Sequence, residues 1–322
     1  MKKVVIFGGG TGLSTLLSGL KLFPVDVTAV IAVSDNGSST GVLKQELNIP
    51  AVGDVGKVLL AMSNAEDDFV RLLGYRFRKE GSLYNHPVRN ILLAALIDQK
   101  GSLLEATKYM CRLLNVRGTV LPLTEEKVEL VGEGQATEYY GEEEVSRNVC
   151  RIRKLSYDHD IKIEKEITTK IAEADLIIFS SGSLYTSILP HLIVPEVQNA
   201  IDAAKAPLMY ISNLVTQPGE TDITTVSGHV EILNRYLDKR HIDIVVSNRG
   251  SINPDVRQRY LDAEGKRIVE LDEDTLHRIG VETIIADDIF CINSEGKIRH
   301  NALKTAYLIF SYLMDHSEDQ AS

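Results

Sequence analysis

The chain has 322 residues, enough to bury a core in one large domain or two modest ones, and we treat residues 1–322 as one domain. Its 35 Lys and Arg residues against 45 Asp and Glu residues give a formal net charge of −10, without a run of basic residues in any segment. This balance argues against a general nucleic-acid or membrane-surface binder, but it allows a local basic pocket for a small phosphorylated molecule.

The chain opens with a predicted strand, a glycine-rich turn and a helix. Residues 4–7 are a continuous apolar run that ends in glycines, which is typical of a strand buried on both faces of a parallel sheet. Leucines at helical spacing follow from Leu13 to Leu20 and stop before Pro24, which predicts the first helix. Residues 25–33 are the next apolar run and predict the second strand.

The next part of the chain predicts a layer of helices and then a small β-rich region. The helical patterns lie at residues 58–63, 69–77, 91–97 and 103–114. Residues 118–156 then carry short β-like stretches separated by charges, including three consecutive glutamates, and we interpret them as a β-rich excursion.

Alternating strands and helices resume towards the C-terminus. Apolar runs followed by polar loops predict strands at residues 175–179, 208–212, 242–246 and 283–286. Residues 299–314 predict a closing amphipathic helix, and the polar tail 316–322 is expected to fray. The pattern predicts an α/β, Rossmann-like doubly wound fold with a mainly parallel sheet, whose ligands bind at the carboxyl ends of the strands.

The cysteines and the N-terminus bear on the compartment. Cys111, Cys150 and Cys291 are far apart, odd in number and without C-x-x-C spacing, so disulfides and a thiolate zinc site are not expected. Each lies among apolar neighbours, which predicts small buried hydrophobic side chains in a reducing compartment. The N-terminal apolar run is too short for a signal peptide and no stretch reaches membrane-spanning length, so we expect a cytoplasmic protein without membrane insertion.

The turn after the first strand is the best candidate for an anion site. It joins a strand to a helix, so its backbone N–H groups and the helix dipole would face the carboxyl edge of the sheet. Read as G-x-G-x-x-G, it has Leu13 at the third glycine position, so the dinucleotide fingerprint is imperfect and a merely tight turn is the alternative. The residues of this candidate phosphate site are Gly8, Gly9, Gly10, Thr11 and Gly12.

Two further loops carry acidic candidates. Asp35 follows the second strand, where a ribose-binding acid is expected in a dinucleotide fold, although an Asx-type turn with Ser39 or Thr40 as helix cap explains the same residues. Asp54 precedes a predicted helix and either caps it or contacts a ligand or metal. In residues 85–90, another loop expected before a helix, Arg89 is a candidate partner for a phosphate.

Two loops in the second half follow predicted strands. The first offers Ser180, Gly182 and Ser183, which permit close approach of a phosphate or sugar. The G-x-S-x-G spacing of a serine nucleophile is missing, so we rank binding of a phosphate or sugar above covalent catalysis. The second begins with Asn213, a candidate ligand contact, and ends with Glu220 and Asp222. These two carboxylates are either magnesium ligands beside a phosphate or ordinary charges at a helix N-terminus.

With these loops assembled, the sequence resembles the bacterial gluconeogenesis factor family, proteins related to 2-phospho-L-lactate transferase of coenzyme F420 biosynthesis. The resemblance covers nearly the whole chain. Four segments carry it: residues 8–13 (GGGTGL), 114–118 (LNVRG), 182–190 (GSLYTSILP) and 213–222 (NLVTQPGETD).

The chain departs from the family pattern in three loops. At Asn36 and Ser38 the family typically reads DDGGSSG. At Gly56-Lys57 it has Arg-Asn after G-D-I, and at residues 85–89 it reads G-H-S-L-G. These departures concern the second loop and the two helix-preceding loops, and not the fold.

The resemblance implies a cytosolic protein needed for normal cell shape and for growth on gluconeogenic carbon sources, which binds UDP-sugars such as UDP-N-acetylglucosamine. It also places a basic segment near the C-terminus, where Arg299 would grip a diphosphate; a solvated turn residue is the alternative. The transferase branch implies instead a magnesium-dependent phosphotransferase. An NAD-linked oxidoreductase ranks third because of Leu13, and a homo-oligomer stays open.

Overall fold

In this computed structural model, residues 1–217, 223–293 and 296–316 are described. The strands in chain order are β1 (Lys2–Gly8), β2 (Val25–Ile31), β3 (Thr119–Pro122), β4 (Leu130–Glu133), β5 (Glu138–Tyr140), β6 (Lys154–Tyr157), β7 (Leu176–Phe179), β8 (Leu208–Ile211), β9 (Ile244–Asn248), β10 (Glu282–Ala286), β11 (Phe290–Ile292) and β12 (Ile298–His300).

Helices separate most of these strands. In chain order they are α1 (Gly10–Leu20), α2 (Ser38–Glu46), α3 (Gly53–Ala61), α4 (Asp67–Gly74), α5 (Val88–Lys100), α6 (Leu103–Leu113), α7 (Glu142–Arg147), α8 (Lys165–Ala172), α9 (Leu189–Leu192), α10 (Pro195–Ala203), α11 (Val226–Tyr236), α12 (Pro254–Glu264), α13 (Glu273–Arg278) and α14 (Ala302–Asp315). A 3₁₀ turn spans Val149–Arg151, and a single π-helical turn spans Leu184–Ile188.

A seven-stranded sheet in the order β10-β9-β8-β7-β1-β2-β3 forms the centre of the molecule, and every pairing within it is parallel. The apolar residues of β1, β7 and β8 are almost fully buried, because helices cover both faces of the sheet and leave no solvent side for polar residues. The predicted α/β fold with a mainly parallel sheet is confirmed.

The helical layer predicted from the first half is present, but two helices begin earlier than their apolar patterns suggest. Helix α3 starts at Gly53, so Asp54 lies inside its first turn and makes no capping bond to the helix backbone. Helix α5 starts at Val88, which places Arg89 inside the helix and not in a preceding loop. In α3, glycines at positions 53 and 56 interrupt the helical period that a pattern search relies on.

Two small antiparallel sheets flank the central one. The first, in the order β5-β4-β6, is most of the β-rich excursion, whereas β3 pairs with β2 in the central sheet and α7 adds a helix between β5 and β6. The second is the ribbon of β11 and β12, which carries Arg299. The closing helix therefore begins at Ala302 and not at residue 299, because β12 continues to His300. The part of the predicted frayed tail beyond residue 316 lies outside the described residues.

The prediction of buried cysteines is wrong for two of the three. Cys111 is partly buried in α6, and burial raises the pKa of its thiol to about 11. Cys150 and Cys291 are exposed, because one lies in the 3₁₀ turn after α7 and the other on a two-stranded ribbon with an open face. Apolar neighbours in sequence do not bury a residue on such thin elements. Throughout the described ranges, no helix is both long and apolar enough to cross a lipid bilayer.

Candidate functional site

The central sheet reverses its strand order between β1 and β7, and a cavity lies at this point. From β1 the chain runs outward through β2 to β3 on one side, and later through β7, β8, β9 and β10 on the other. The loops after β1 and β7 therefore diverge at the carboxyl edge and leave a crevice, as expected at a topological switch point. The cavity there has a volume of about 350 Å³.

The glycine-rich turn forms one wall of this cavity. Gly9, Gly10, Thr11 and Gly12 line it, and α1 begins at Gly10, whose φ of +64° is a conformation that favours glycine. A Cβ atom built on Gly10 would have only one protein atom within 4 Å, the Asp54 Oδ2 atom at 3.9 Å. A side chain there would therefore project into the open space above the helix N-terminus, where an anion is favoured.

The glycines on either side of Gly10 serve the packing of the loops. A Cβ atom on Gly12 would lie 1.9 Å from the carbonyl oxygen of Ser181, so only glycine lets α1 approach the loop after β7. A Cβ atom on Gly8 would lie 2.0 Å from the Ser180 Oγ atom. Gly8 and Ser180 are buried beneath the cavity and do not line it, which separates them from the other candidates.

The loop after β7 forms a second wall, with Ser181, Gly182 and Ser183. The Asn213 side chain holds this loop with two bonds: its Oδ1 accepts from the Gly182 N–H and its Nδ2 donates to the Gly182 carbonyl, each at 2.8 Å. The Ser183 hydroxyl accepts the Thr186 N–H at 3.1 Å at the start of the π-helical turn. Asn213 and Ser183 thus line the cavity, and their side chains also hydrogen-bond the backbone of the loop that forms its wall.

Three carboxylates meet beside the glycine-rich turn: Asp35, Asp54 and Glu142. Asp35 Oδ1 accepts the Gly37 N–H at 2.7 Å, so the Asx-type turn considered above is present and the residue still lines the cavity. The helix cap is Gly37, and neither Ser39 nor Thr40. Burial and the neighbouring Asp35 raise the pKa of Glu142 to about 9.

Lys57 is the positive charge within this acidic group. Its ammonium lies 2.8 Å from Asp54 Oδ1, one helical turn away on α3. Burial raises the pKa of Asp54, and Asp35 adds to the effect while Lys57 opposes it. Within the described ranges, no group of three or more His, Cys, Asp or Glu side chains is arranged to hold a metal ion. Glu220 and Asp222, the other candidate magnesium ligands, lie outside those ranges.

Basic residues reach the cavity from the C-terminal part of the chain. Arg299 lies on the ribbon, with its Nη1 donating to the Ile298 carbonyl at 3.0 Å, and Lys266 pairs with Glu264 at 2.7 Å. His300 Nε2 donates to the Ser212 carbonyl at 3.1 Å, and burial lowers its pKa to about 4, so the ring is neutral at pH 7. Arg299 reaches the cavity on β12 of the separate ribbon and not as part of the predicted closing helix.

Comparison with known proteins places this geometry in a family. A family model described as "2-phospho-L-lactate transferase CofD" matches residues 4–289, well over half of the chain. The chain belongs to the CofD family. The match includes the glycine-rich turn, the loop after β7 and the acidic group, and it ends before the ribbon that carries Arg299.

Relatives within the CofD family resemble this chain along almost its whole length. A putative gluconeogenesis factor of Thermotoga maritima is 40% identical over 310 residues, covering 95% of this chain and 98% of that protein. The gluconeogenesis factor of Bacillus subtilis is 39% identical over 315 residues, covering 97% and 98%. A crystal structure of a Bacillus halodurans protein superposes with a TM-score of 0.90 at 38% identity, covering 96% of this chain and 99% of that one.

The cavity contains residues that the sequence alone did not single out: Lys57, Glu142, Lys266 and His300. Lys57 follows Asp54 by three residues, a spacing that pairs opposite charges on a helix and was a usable signal. Glu142 begins a run of three glutamates that is typical of a solvated surface, and the other two glutamates of the run are indeed exposed. Lys266 and His300 reach the cavity only through tertiary packing, and nothing local marks them.

Proposed function

We propose that this CofD-family protein is a cytoplasmic gluconeogenesis factor that binds a UDP-sugar, such as UDP-N-acetylglucosamine, and regulates cell shape during growth on gluconeogenic carbon sources. The names of the relatives support the gluconeogenic role. The single observation that carries the ligand class is that an open helix N-terminus at Gly10 and the guanidinium-bearing residue Arg299 line one cavity.

The chemistry of the cavity suits a diphosphate with polar groups at both ends. Backbone N–H groups at the start of α1 offer hydrogen bonds to one phosphate, and Arg299 can grip a phosphate with two parallel bonds. Hydroxyls from Ser181, Ser183 and Ser187 line the same space and suit a sugar. A volume of about 350 Å³ falls within the range usual for small-ligand sites.

Charge reversal of Arg299 tests this proposal. We expect Arg299→Glu to weaken binding of UDP-N-acetylglucosamine at least about tenfold in calorimetry, equivalent to roughly 1.4 kcal/mol, because it replaces a phosphate contact with repulsion. The melting temperature without ligand should change little, because the side chain is only partly buried and makes one bond to a neighbouring carbonyl.

The control is Arg235→Glu, the same charge reversal at an exposed position of α11 whose side chain is 71% accessible. It should bind the nucleotide sugar like the unmodified protein. Equal affinity in Arg299→Glu and Arg235→Glu would remove Arg299 from the site, and a collapse of the melting temperature in Arg299→Glu alone would make it structural.

A magnesium-dependent phosphotransferase is the second candidate. The description of the matching family and the three carboxylates beside the glycine-rich turn favour it. The described residues do not complete a magnesium site, since Lys57 already neutralises Asp54. Thermal-shift titration of UDP-sugars with and without Mg²⁺ separates the two: stabilisation independent of Mg²⁺ and without turnover supports the regulatory protein, and metal-dependent turnover supports the transferase.

A further inference from the structure

A second, shallow cavity of about 350 Å³ lies between α1 and the helices α3 and α5. It is lined by hydroxyl groups of α1, by Lys57 and by Arg89. Thr11, Thr15 and Lys57 line both this space and the cavity described above, so the two adjoin across the first turns of α1. The proposed nucleotide-sugar contacts do not use Arg89 or the second cavity.

Arg89 is the unusual residue of the second cavity. Only 8% of it is exposed, and its side chain runs along α3 above Gly56, where a Cβ atom would lie 3.1 Å from the Arg89 Cδ. Its Nε atom is buried without a hydrogen-bond partner. Within the described ranges, its guanidinium forms neither a salt bridge nor a hydrogen bond with another residue.

The charges near Arg89 do not balance it. Asp54 is the acidic residue whose field it feels, but that carboxylate is held by Lys57 at 2.8 Å. Arg76 adds a second positive charge nearby. Burial and Arg76 lower the pKa of Arg89 to about 10, which still leaves it charged at neutral pH. A largely buried guanidinium without a directly paired counter-ion is costly, and an anion at its accessible end would offset that cost.

We propose that Arg89 and Lys57, together with the hydroxyls of Thr11 and Thr15, form a second anion subsite that binds a phosphate group. The guanidinium presents a planar fork of donors that matches phosphate oxygens, and the Lys57 ammonium and the two threonines line the same space. The phosphate belongs either to a second phosphorylated molecule or to a ligand that extends from the main cavity. The subsite does not depend on the nucleotide sugar proposed above.

Calorimetric titration of the full-length protein with inorganic phosphate and with pyrophosphate tests the subsite. The unmodified protein should bind, and Arg89→Gln should bind at least tenfold more weakly. The matched control is Arg71→Gln, which removes the same charge from an exposed position of α4 where it pairs with Asp68 on the surface, and it should bind like the unmodified protein. Arg89→Lys keeps the positive charge but not the planar guanidinium, so its phosphate affinity should fall by roughly three- to tenfold.

Phosphate should also raise the melting temperature of the unmodified protein and of Arg71→Gln more than that of Arg89→Gln. If Arg89→Gln does not fold, Arg89→Lys decides the question by the same two measurements. Equal phosphate affinity and equal stabilisation in the unmodified protein and the Arg89 variants, or no phosphate binding below about 10 mM, would overturn the proposal, whether or not UDP-N-acetylglucosamine binds.

A competition experiment identifies the source of the phosphate. If phosphate still binds when UDP-N-acetylglucosamine is saturating, the subsite serves a second molecule. If the nucleotide sugar displaces phosphate and Arg89→Gln also weakens the nucleotide sugar, its own diphosphate reaches the subsite. Both results support the subsite, and failure of the nucleotide sugar to bind would contradict only the function proposed above.

Discussion

Gly56 on α3 and Arg89 on α5 contact each other. A Cβ atom on Gly56 would lie within 3.1 to 3.3 Å of three atoms of the Arg89 side chain. The missing side chain on α3 thus leaves the space through which the arginine of α5 passes.

We predict that the two positions are energetically coupled. Gly56→Arg alone should destabilise the protein, because two arginine side chains then compete for one buried space. Arg89→Gly alone leaves that space empty. The double variant should be more stable than the sum of the single effects predicts, by at least about 1 kcal/mol, as measured by urea unfolding. Additive free energies of unfolding would show that the two positions are independent.

At the scale of elements, the small sheet of β4, β5 and β6 matters because it brings α7 to the acidic loop. The Glu142 Oε2 atom accepts the Asn36 N–H at 3.1 Å, a contact between residues 106 positions apart. The same loop is anchored by Lys44, which is 1% exposed and pairs with Glu129 at 2.9 Å. The small sheet therefore contributes a titratable carboxyl to the cavity wall.

The Glu142 carboxyl should make the stability of the folded protein depend on pH. Replacing it with a neutral amide should remove that dependence. The pKa of Glu142 is raised to about 9 in the folded protein from an ordinary value near 4.5, because of burial and then Asp35. Between these values the folded protein holds a proton that the unfolded chain releases, so this residue lowers stability as pH rises. We predict that Glu142→Gln becomes more stable relative to the unmodified protein between pH 5 and pH 8.

Thermal unfolding at several pH values measures this difference, with Glu143→Gln as control. Glu143 is the next residue, exposed and paired with Arg147, so its substitution should change stability only a little. A Glu142→Gln variant whose relative stability is the same at pH 5 and pH 8 would contradict the raised pKa.

At the scale of the whole molecule, three histidines on separate elements share one property. His191 lies on α9, His229 on α11 and His300 on β12, and burial lowers the pKa of each to about 4. The His229 Nε2 donates to the Ile223 carbonyl at 3.1 Å while its Nδ1 accepts from the Tyr210 hydroxyl at 3.2 Å, a pattern that fits the neutral ring. All three favour folding only while uncharged.

We predict that His229→Gln reduces the acid sensitivity of the protein. Because its folded pKa is below its unfolded value near 6.5, His229 stabilises the fold fully above that value, and the contribution is lost as pH falls towards 4. The destabilisation caused by His229→Gln should therefore shrink by about 2 kcal/mol between pH 7 and pH 5 in urea unfolding. His159→Gln, at an exposed position, should show a smaller change; equal changes would refute the prediction.

The sequence by itself determined the parallel sheet and the edge at which the cavity lies. Apolar runs such as residues 4–7 and 176–179 leave no polar face, so they must be covered on both sides, and that alone requires helices between parallel strands. The chemically rich loops follow these runs, and parallel strands place such loops at one edge. Gly9, Gly10, Thr11 and Asn213 were found at the cavity for this reason.

Only the tertiary structure decided what covers that edge. Glu142, Arg299 and His300 arrive on a helix and a ribbon outside the central sheet, and Arg89 meets Lys57 only because α5 packs on α3. Local periodicity reports which face of an element is buried, but not which distant element buries it. That choice depends on strand order and connections, so a glutamate in an acidic run carries no local mark of its position.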